Sequence, residues 1–149
     1  MKAPLAAMVL CLAVLGCQHQ EFEESFPTYS AAKAAAPLLD NFAPPYIPPS
    51  ATNIRVWHHG DTDAARGHFH FGIEDSPSFR AALGPPEEWP SGPSADRPAW
   101  WPAPLSGSLK SKEARGPWEL HTVAVPGRLN WVIAVDWQAQ EAYFWSQHS

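Results

Sequence analysis

The chain has few cysteines and few charged residues. Of its 149 residues only 2 are cysteine, charged residues make up 17 %, and 10 Lys and Arg stand against 15 Asp and Glu, which gives a net charge of −5. The basic residues form no run, so the chain lacks the positive patch with which proteins neutralise nucleic-acid phosphates. We therefore exclude DNA and RNA as partners.

Long apolar segments are also missing. The one sustained apolar run covers residues 3–15, which is too short to cross a bilayer and has the length of the apolar core of a secretory signal. The run ends in Val14-Leu15-Gly16-Cys17, which resembles the lipobox of bacterial lipoproteins: an aliphatic residue, a small residue just before the cleavage point and a cysteine just after it. A plain secretory signal cut elsewhere and an uncleaved anchor are the alternatives.

The lipobox resemblance implies a lipid anchor on Cys17. In that family the cysteine thiol receives a diacylglycerol, signal peptidase II removes the preceding residues, and the new amino terminus often receives a further acyl chain such as palmitate. Residues 1–16 are then the signal peptide. Gln18 follows the cysteine, whereas Asp there tends to retain lipoproteins at the inner membrane. The resemblance thus implies the cell envelope, and the outer membrane if the organism has two membranes.

The same resemblance leaves no free thiol in the mature chain, because Cys11 leaves with the signal peptide and Cys17 carries lipid. A disulfide, a thiol nucleophile and a cysteine-based zinc site are thereby excluded. No Gly-x-Ser-x-Gly, His-Glu-x-x-His or phosphate-loop motif occurs, so we expect a non-enzymatic protein without a cofactor.

Proline, by contrast, is abundant, at 17 residues. Six prolines fall between residues 18 and 50, where strand alternation is not sustained. This composition predicts that residues 17–50 are a lipidated, proline-rich tether, with at most a short helix over residues 30–36 that Pro37 ends. The aromatic residues of this stretch leave open that part of it folds back over the domain.

Residues 51–149 are predicted to form a single α+β domain with a small antiparallel sheet. The pattern favours a β-hairpin over residues 54–73, in which Phe69, Phe71 and Ile73 share one face, and then a short helix that Gly84 ends. A loop rich in proline and tryptophan covers residues 84–104, and a three-stranded meander covers 118–145. The middle strand of the meander is apolar on both faces, with Trp131, Ile133, Val135 and Trp137 on one face and Val132 and Ala134 on the other.

Histidines cluster in the predicted hairpin. Four of the 7 histidines lie within thirteen residues, namely His58, His59, His68 and His70. On one strand, His68 and His70 project from the same face, and a hairpin brings His58 or His59 opposite them. Together with Asp61 in the turn, this set suits Zn²⁺ or Cu²⁺. The alternative is the solvent-facing side of an amphipathic hairpin.

Tryptophan is the other abundant residue, at 8 positions. Those in strands are expected to pack in the core, whereas Trp89, Trp100 and Trp101 lie in the proline-rich loop, where they either bind a partner or cover the sheet. The layout resembles small bacterial lipoproteins that end in an aromatic β-hairpin, a resemblance that implies no activity.

We therefore expect an envelope lipoprotein, held on the membrane by the lipid on Cys17, whose domain binds a protein or a glycan. One alternative is a metal-binding lipoprotein that uses the histidine hairpin. Another is an inhibitor or immunity protein against an enzyme that acts on the envelope, which a small acidic domain permits.

Overall fold

The structure is a computed structural model that describes residues 20–88, 92–93, 97–106, 109 and 115–147. Its centre is an open sheet of six antiparallel strands in the order β1-β2-β3-β6-β5-β4. The strands are β1 (Glu21–Thr28), β2 (Thr52–His59), β3 (Ala65–His70), β4 (Glu119–Val123), β5 (Asn130–Asp136) and β6 (Glu141–Gln147). The α-helices are α1 (Tyr29–Ala34), α2 (Ala36–Phe42) and α3 (Ser76–Leu83), and short 3₁₀ turns cover Ile73–Asp75 and Ala103–Leu105.

The antiparallel sheet with a few short helices agrees with the predicted α+β class. Strands β2 and β3 form the hairpin, and β4, β5 and β6 form the meander. Helix α3 has a proline in its first turn and ends at Gly84, whose φ of +73° is the left-handed conformation that glycine adopts without strain. None of the helices in the described part of the chain has the length and apolar character needed to cross a bilayer.

Residues 21–50 belong to the folded domain, so the predicted extended tether over 17–50 is wrong for them. Strand β1 pairs with β2 from Glu21 opposite His59 to Thr28 opposite Thr52. The sequence gives little indication of this strand because β1 is a mostly exposed edge strand. An edge strand also tolerates a proline such as Pro27. Pro37 also begins a helix instead of ending one, since it lies in the first turn of α2, where its missing N–H costs nothing.

Each face of the sheet carries its own apolar cluster. One face, which we call the helix-covered face, packs against the three helices and residues 43–51. The other, the loop-covered face, packs against Trp101 of the loop over residues 84–104, which we call the tryptophan-rich loop, and against Leu105 and Leu109, which follow it. Strand β5 contributes to both clusters, as predicted: Trp131, Ile133 and Val135 lie on the helix-covered face, and Val132 and Ala134 on the loop-covered face.

The predicted apolar face of the hairpin is correct for Phe69 and Phe71 but wrong for Ile73. Strand β3 ends at His70, and Ile73 lies in a 3₁₀ turn with 73 % of its side chain exposed. The chain turns because Gly72 N donates to Ser50 Oγ while Asp75 Oδ2 accepts from Ser50 N. Alternation of side chains applies only while the strand continues.

Candidate functional site

A polar row crosses the loop-covered face from β2 to β6. The register places Arg55 of β2 opposite His68 of β3, and His68 opposite Tyr143 of β6. One pair further along, His70 lies opposite Glu141. Since side chains two residues apart on a strand point to the same face, all five project toward the same side of the sheet.

A cleft of about 480 Å³ opens between this row and the tryptophan-rich loop. Its volume is within the ordinary range of small-ligand sites. The cleft is lined by Ser25, Phe26, Pro27, Asn53, Ile54, Arg55, His68, His70, Trp100 and Tyr143. Aromatic rings therefore stand beside hydrogen-bonding groups in one concave surface.

The ring of Trp100 is fixed at the mouth of the cleft. Its Nε1 donates a hydrogen bond of 2.9 Å to Glu23 Oε1 on the edge strand. The guanidinium carbon of Arg55 lies 6.0 Å from its ring centroid, and the side chain is half-buried. Trp100 thus presents an oriented ring with part of its surface free.

Trp101, in contrast, belongs to the core, and its prediction as a partner-binding residue is wrong. Only 6 % of it is exposed, and its Nε1 donates to the carbonyl of Leu105 at 3.2 Å. Its ring packs edge-on against Tyr143 and Trp145, with centroids 5.6 and 6.0 Å away. Of the two readings left open for this loop, Trp101 follows the one in which the loop covers the sheet.

Three potential metal ligands meet beside the cleft, and two of them, His68 and His70, line it. One ligand atom each from His68, His70 and Glu141 lies within 4.8 Å of the others. His68 Nε2 and Glu141 Oε2 are 3.5 Å apart, and the two imidazole rings are perpendicular with centroids 4.8 Å apart. Two of these residues were predicted as ligands, and the third was not.

Burial shifts the pKa values of two of these three residues, His68 and Glu141. It lowers the pKa of His68 to about 4, and the nearby His70 and the charge of Arg55 add to the effect, while a hydrogen bond to the backbone carbonyl of Asn53 opposes it. Burial also raises the pKa of Glu141. At neutral pH His68 is therefore an uncharged imidazole with a lone pair on one ring nitrogen.

The other predicted ligands are not brought to this site. His58 pairs with Ala65 and lies on the helix-covered face, where its ring stacks on Phe42 at 3.9 Å with an interplanar angle of 6°. His59 is buried at the far end of β2, and its Nδ1 accepts from the backbone N of Asp61 at 3.2 Å. The predicted set fails because the register of the hairpin places Arg55, and not a histidine, opposite His68.

Sequence reasoning missed Glu141, Tyr143 and Arg55. Glu141 and Tyr143 do alternate in β6, and their spacing matches that of the two histidines. That signal becomes informative only once β3 is known to pair with β6. Cys17 and Trp89, the remaining predicted site residues, lie outside the described residues.

A second polar network lies under α3 on the helix-covered face. Glu119 Oε1 accepts from Arg80 Nη1 at 2.9 Å and from Trp137 Nε1 at 3.1 Å, and it lies 3.1 Å from His121 Nε2. His121 is fully buried and its Nδ1 lies 3.1 Å from the carbonyl oxygen of Gly84. Because a ligand cannot reach the imidazole, this network joins α3 to the sheet and is not a binding site.

No protein-family model, curated protein or solved structure matches this chain. The cleft of the loop-covered face combines oriented aromatic rings, hydrogen-bonding groups and a group of potential metal ligands, and no other described site combines all three.

Proposed function

We propose that the protein is a lipid-anchored lipoprotein of the bacterial envelope whose domain binds a glycan in the cleft of the loop-covered face. The observation that carries the proposal is the side-by-side placement of Trp100 and Tyr143 with the polar side chains of Arg55 and Asn53. Sugars present apolar C–H faces that stack on aromatic rings and hydroxyl groups that pair with donors and acceptors at the ring edges.

A glycan suits this site better than a protein partner. A stable protein interface buries roughly 800 Å² on each side around apolar anchors. With Trp101 in the core, the large apolar side chains that stay exposed in the described residues are Phe22, Tyr46 and Ile73. These three lie on different elements, β1, the segment after α2 and a 3₁₀ turn, and none of them lines the cleft.

The anchor rests on the lipobox resemblance around Cys17. The acyl chains of a lipoprotein each bury many CH₂ groups at about 0.8 kcal/mol apiece, which is enough for durable attachment to a membrane. Strand β1 begins at Glu21, four residues after Cys17. Four extended residues reach at most about 14 Å, so in this proposal the domain lies beside the lipid headgroups instead of at the end of a long tether.

The proposal is one of binding, without catalysis. It is supported by the absence of hydrolase and phosphate-loop motifs from the sequence. Inhibition of another protein is less well supported, because an inhibitor needs a larger apolar surface than these separated side chains provide.

Glycan binding is tested with the detergent-purified lipoprotein and immobilised envelope glycans, namely peptidoglycan fragments and the polysaccharide of lipopolysaccharide. We expect Trp100→Ala to weaken binding about tenfold, as loss of one stacked ring predicts. Tyr46→Ala is the matched control, because Tyr46 is an exposed aromatic residue that does not line the cleft. Binding that is undetectable in the unmodified protein, or equal in both variants, would reject the proposal.

A further inference from the structure

His68, His70 and Glu141 form a compact group of nitrogen and oxygen donors, in which the two histidines line the cleft. We propose that these three residues bind one Zn²⁺ ion, with a fourth coordination position open to the cleft. This inference does not rest on glycan binding, since it concerns a different ligand and three metal-binding side chains that the proposed glycan site does not use. It differs from the metal site expected from the sequence, from which His58, His59 and Asp61 are now removed.

The pairing of β3 with β6 by itself places the three ligand residues side by side. His70 and Glu141 are direct partners in the β3–β6 ladder, and His68 follows on the same face of β3. Directly opposite residues in antiparallel strands have Cβ atoms about 4.5–5.5 Å apart. Two central strands therefore fix the ligand-bearing backbone, and a site on strands is held more precisely than one on a loop.

The distances suit a zinc ion. Zinc bonds to histidine nitrogen and carboxylate oxygen at about 2.0–2.2 Å, so ligand atoms around a tetrahedral ion are about 3.4 Å apart. His68 Nε2 and Glu141 Oε2 are already 3.5 Å apart. The third ligand atom, on His70, lies within 4.8 Å of both, and it has to move closer to them to complete the set.

His68 has the hydrogen bonding that a metal-bound histidine needs. Its Nε2 is buried and has no hydrogen-bond partner among the described residues. The hydrogen bond to the carbonyl of Asn53 must therefore come from Nδ1. Metal-binding histidines commonly donate their second ring nitrogen to a backbone carbonyl, which leaves the first nitrogen's lone pair free for the ion.

An irregularity in β2 accounts for the position of that carbonyl. The β2–β3 register shifts between Thr52 and Arg55, and Asn53 between them has a φ of +50°. Asn is among the few residues other than glycine that adopt this left-handed conformation with tolerable strain. Bulges of this kind redirect groups out of the ladder and are common beside functional sites, and here the Asn53 carbonyl faces His68.

Arg55 determines what the open position accepts. Arg55 lies directly opposite His68 in the β2–β3 ladder, and it lines the same cleft. One carboxylate neutralises only half of the charge of Zn²⁺, so the loaded site beside a guanidinium carries excess positive charge. We infer that the fourth ligand is an anion, such as a carboxylate group, which Arg55 pairs with.

Calorimetric titration of the full chain with Zn²⁺ tests the site. Both cysteines are first replaced in the variants Cys11→Ser and Cys17→Ser, because thiolates bind zinc themselves. We expect one ion per chain, and we expect His68→Gln and Glu141→Gln each to weaken binding more than about tenfold. His58→Gln, which changes a stacked histidine on the opposite face, is the matched control and should bind as the parent does.

A second measurement guards against a variant that misfolds. Co²⁺ in place of zinc gives visible absorption bands that report coordination geometry, and His70→Gln should change these bands while its circular dichroism melting curve stays that of the parent. Zinc binding that does not saturate, or that is equal in the His68, Glu141 and His58 variants, would overturn the inference. A chain that binds zinc but no glycan would support the zinc site and reject the proposed function. A chain that binds glycan but no zinc would reject the zinc site and support the proposed function.

Discussion

The guanidinium carbon of Arg66 lies 5.0 Å from the centroid of the Trp101 ring. Arg66 is only 1 % exposed, and its guanidinium carbon is also 5.8 Å from the ring centroid of Trp57. Desolvated contacts between a guanidinium and an indole contribute about 2 kcal/mol or more. The contact joins the tryptophan-rich loop to β3 of the sheet, and the same loop places Trp100 at the cleft.

Trp101→Ala should destabilise the domain far more than Trp100→Ala. Removal of the buried indole leaves a cavity and costs roughly 3–5 kcal/mol of unfolding free energy. Trp100 is half-buried and loses chiefly one hydrogen bond to Glu23, worth about 1–2 kcal/mol. Urea unfolding of both variants measures the difference, and equal losses would show that the loop does not pack on the sheet as described.

Limited proteolysis should show whether the amino-terminal segment is folded or is an unfolded tether. Because β1 pairs with β2 and the cluster of the helix-covered face includes Ala32, Ala43 and Ile47, we expect cuts before residue 20 and protection from there to residue 50. Mass spectrometry of the resistant fragment gives its first residue. A stable fragment that begins near residue 51 would instead support the predicted tether.

The buried His121 should make the domain less stable in mild acid. Burial lowers the pKa of His121 in the folded state, and this outweighs the opposite effect of Glu119, while the charge of Arg80 acts in the same direction as burial. The unfolded chain, with a pKa of about 6.5, therefore binds a proton that the folded chain does not. The stabilisation is complete above about pH 6.5 and is lost as the pH falls below it.

This pH effect is measured against His121→Gln, by urea unfolding at about pH 7.5 and about pH 5.5. The parent should lose more unfolding free energy between the two values than the variant does. His58 and His68, whose pKa values are also lowered by burial, are present in both proteins, so their contributions cancel. A variant that loses as much stability as the parent would contradict the expectation.

Cys17→Ser should leave an unlipidated precursor. Without the thiol there is no site for the diacylglycerol, so the chain should lose label from a palmitate analogue and should keep its signal peptide. Cys11→Ser is the matched control and should be labelled as the parent is. Label retained on the Cys17 variant would remove the lipoprotein proposal.

Local patterns were enough to predict several elements of the fold. These elements are predictable because their signals depend on residues close together in the sequence. The signals are the alternation in β3 and β5, the proline in the first turn of α3 and the glycine at its end. The two apolar faces of β5 likewise predicted a central strand, and β5 lies between β4 and β6. The edge strand β1 was missed because an exposed strand buries too little to show a clear period.

The site depended on the tertiary structure. Sequence singled out His68 and His70, but Glu141 joins them only because β3 pairs with β6, a contact between strands about 70 residues apart that no local pattern encodes. Trp100 and Trp101 are neighbours in sequence, yet one lines the cleft and the other fills the core. The sequence by itself determined the strands β2 to β6 and helix α3, because their periodicity and turn residues are local, whereas burial of both faces of the sheet decided which strands pair and therefore which side chains meet.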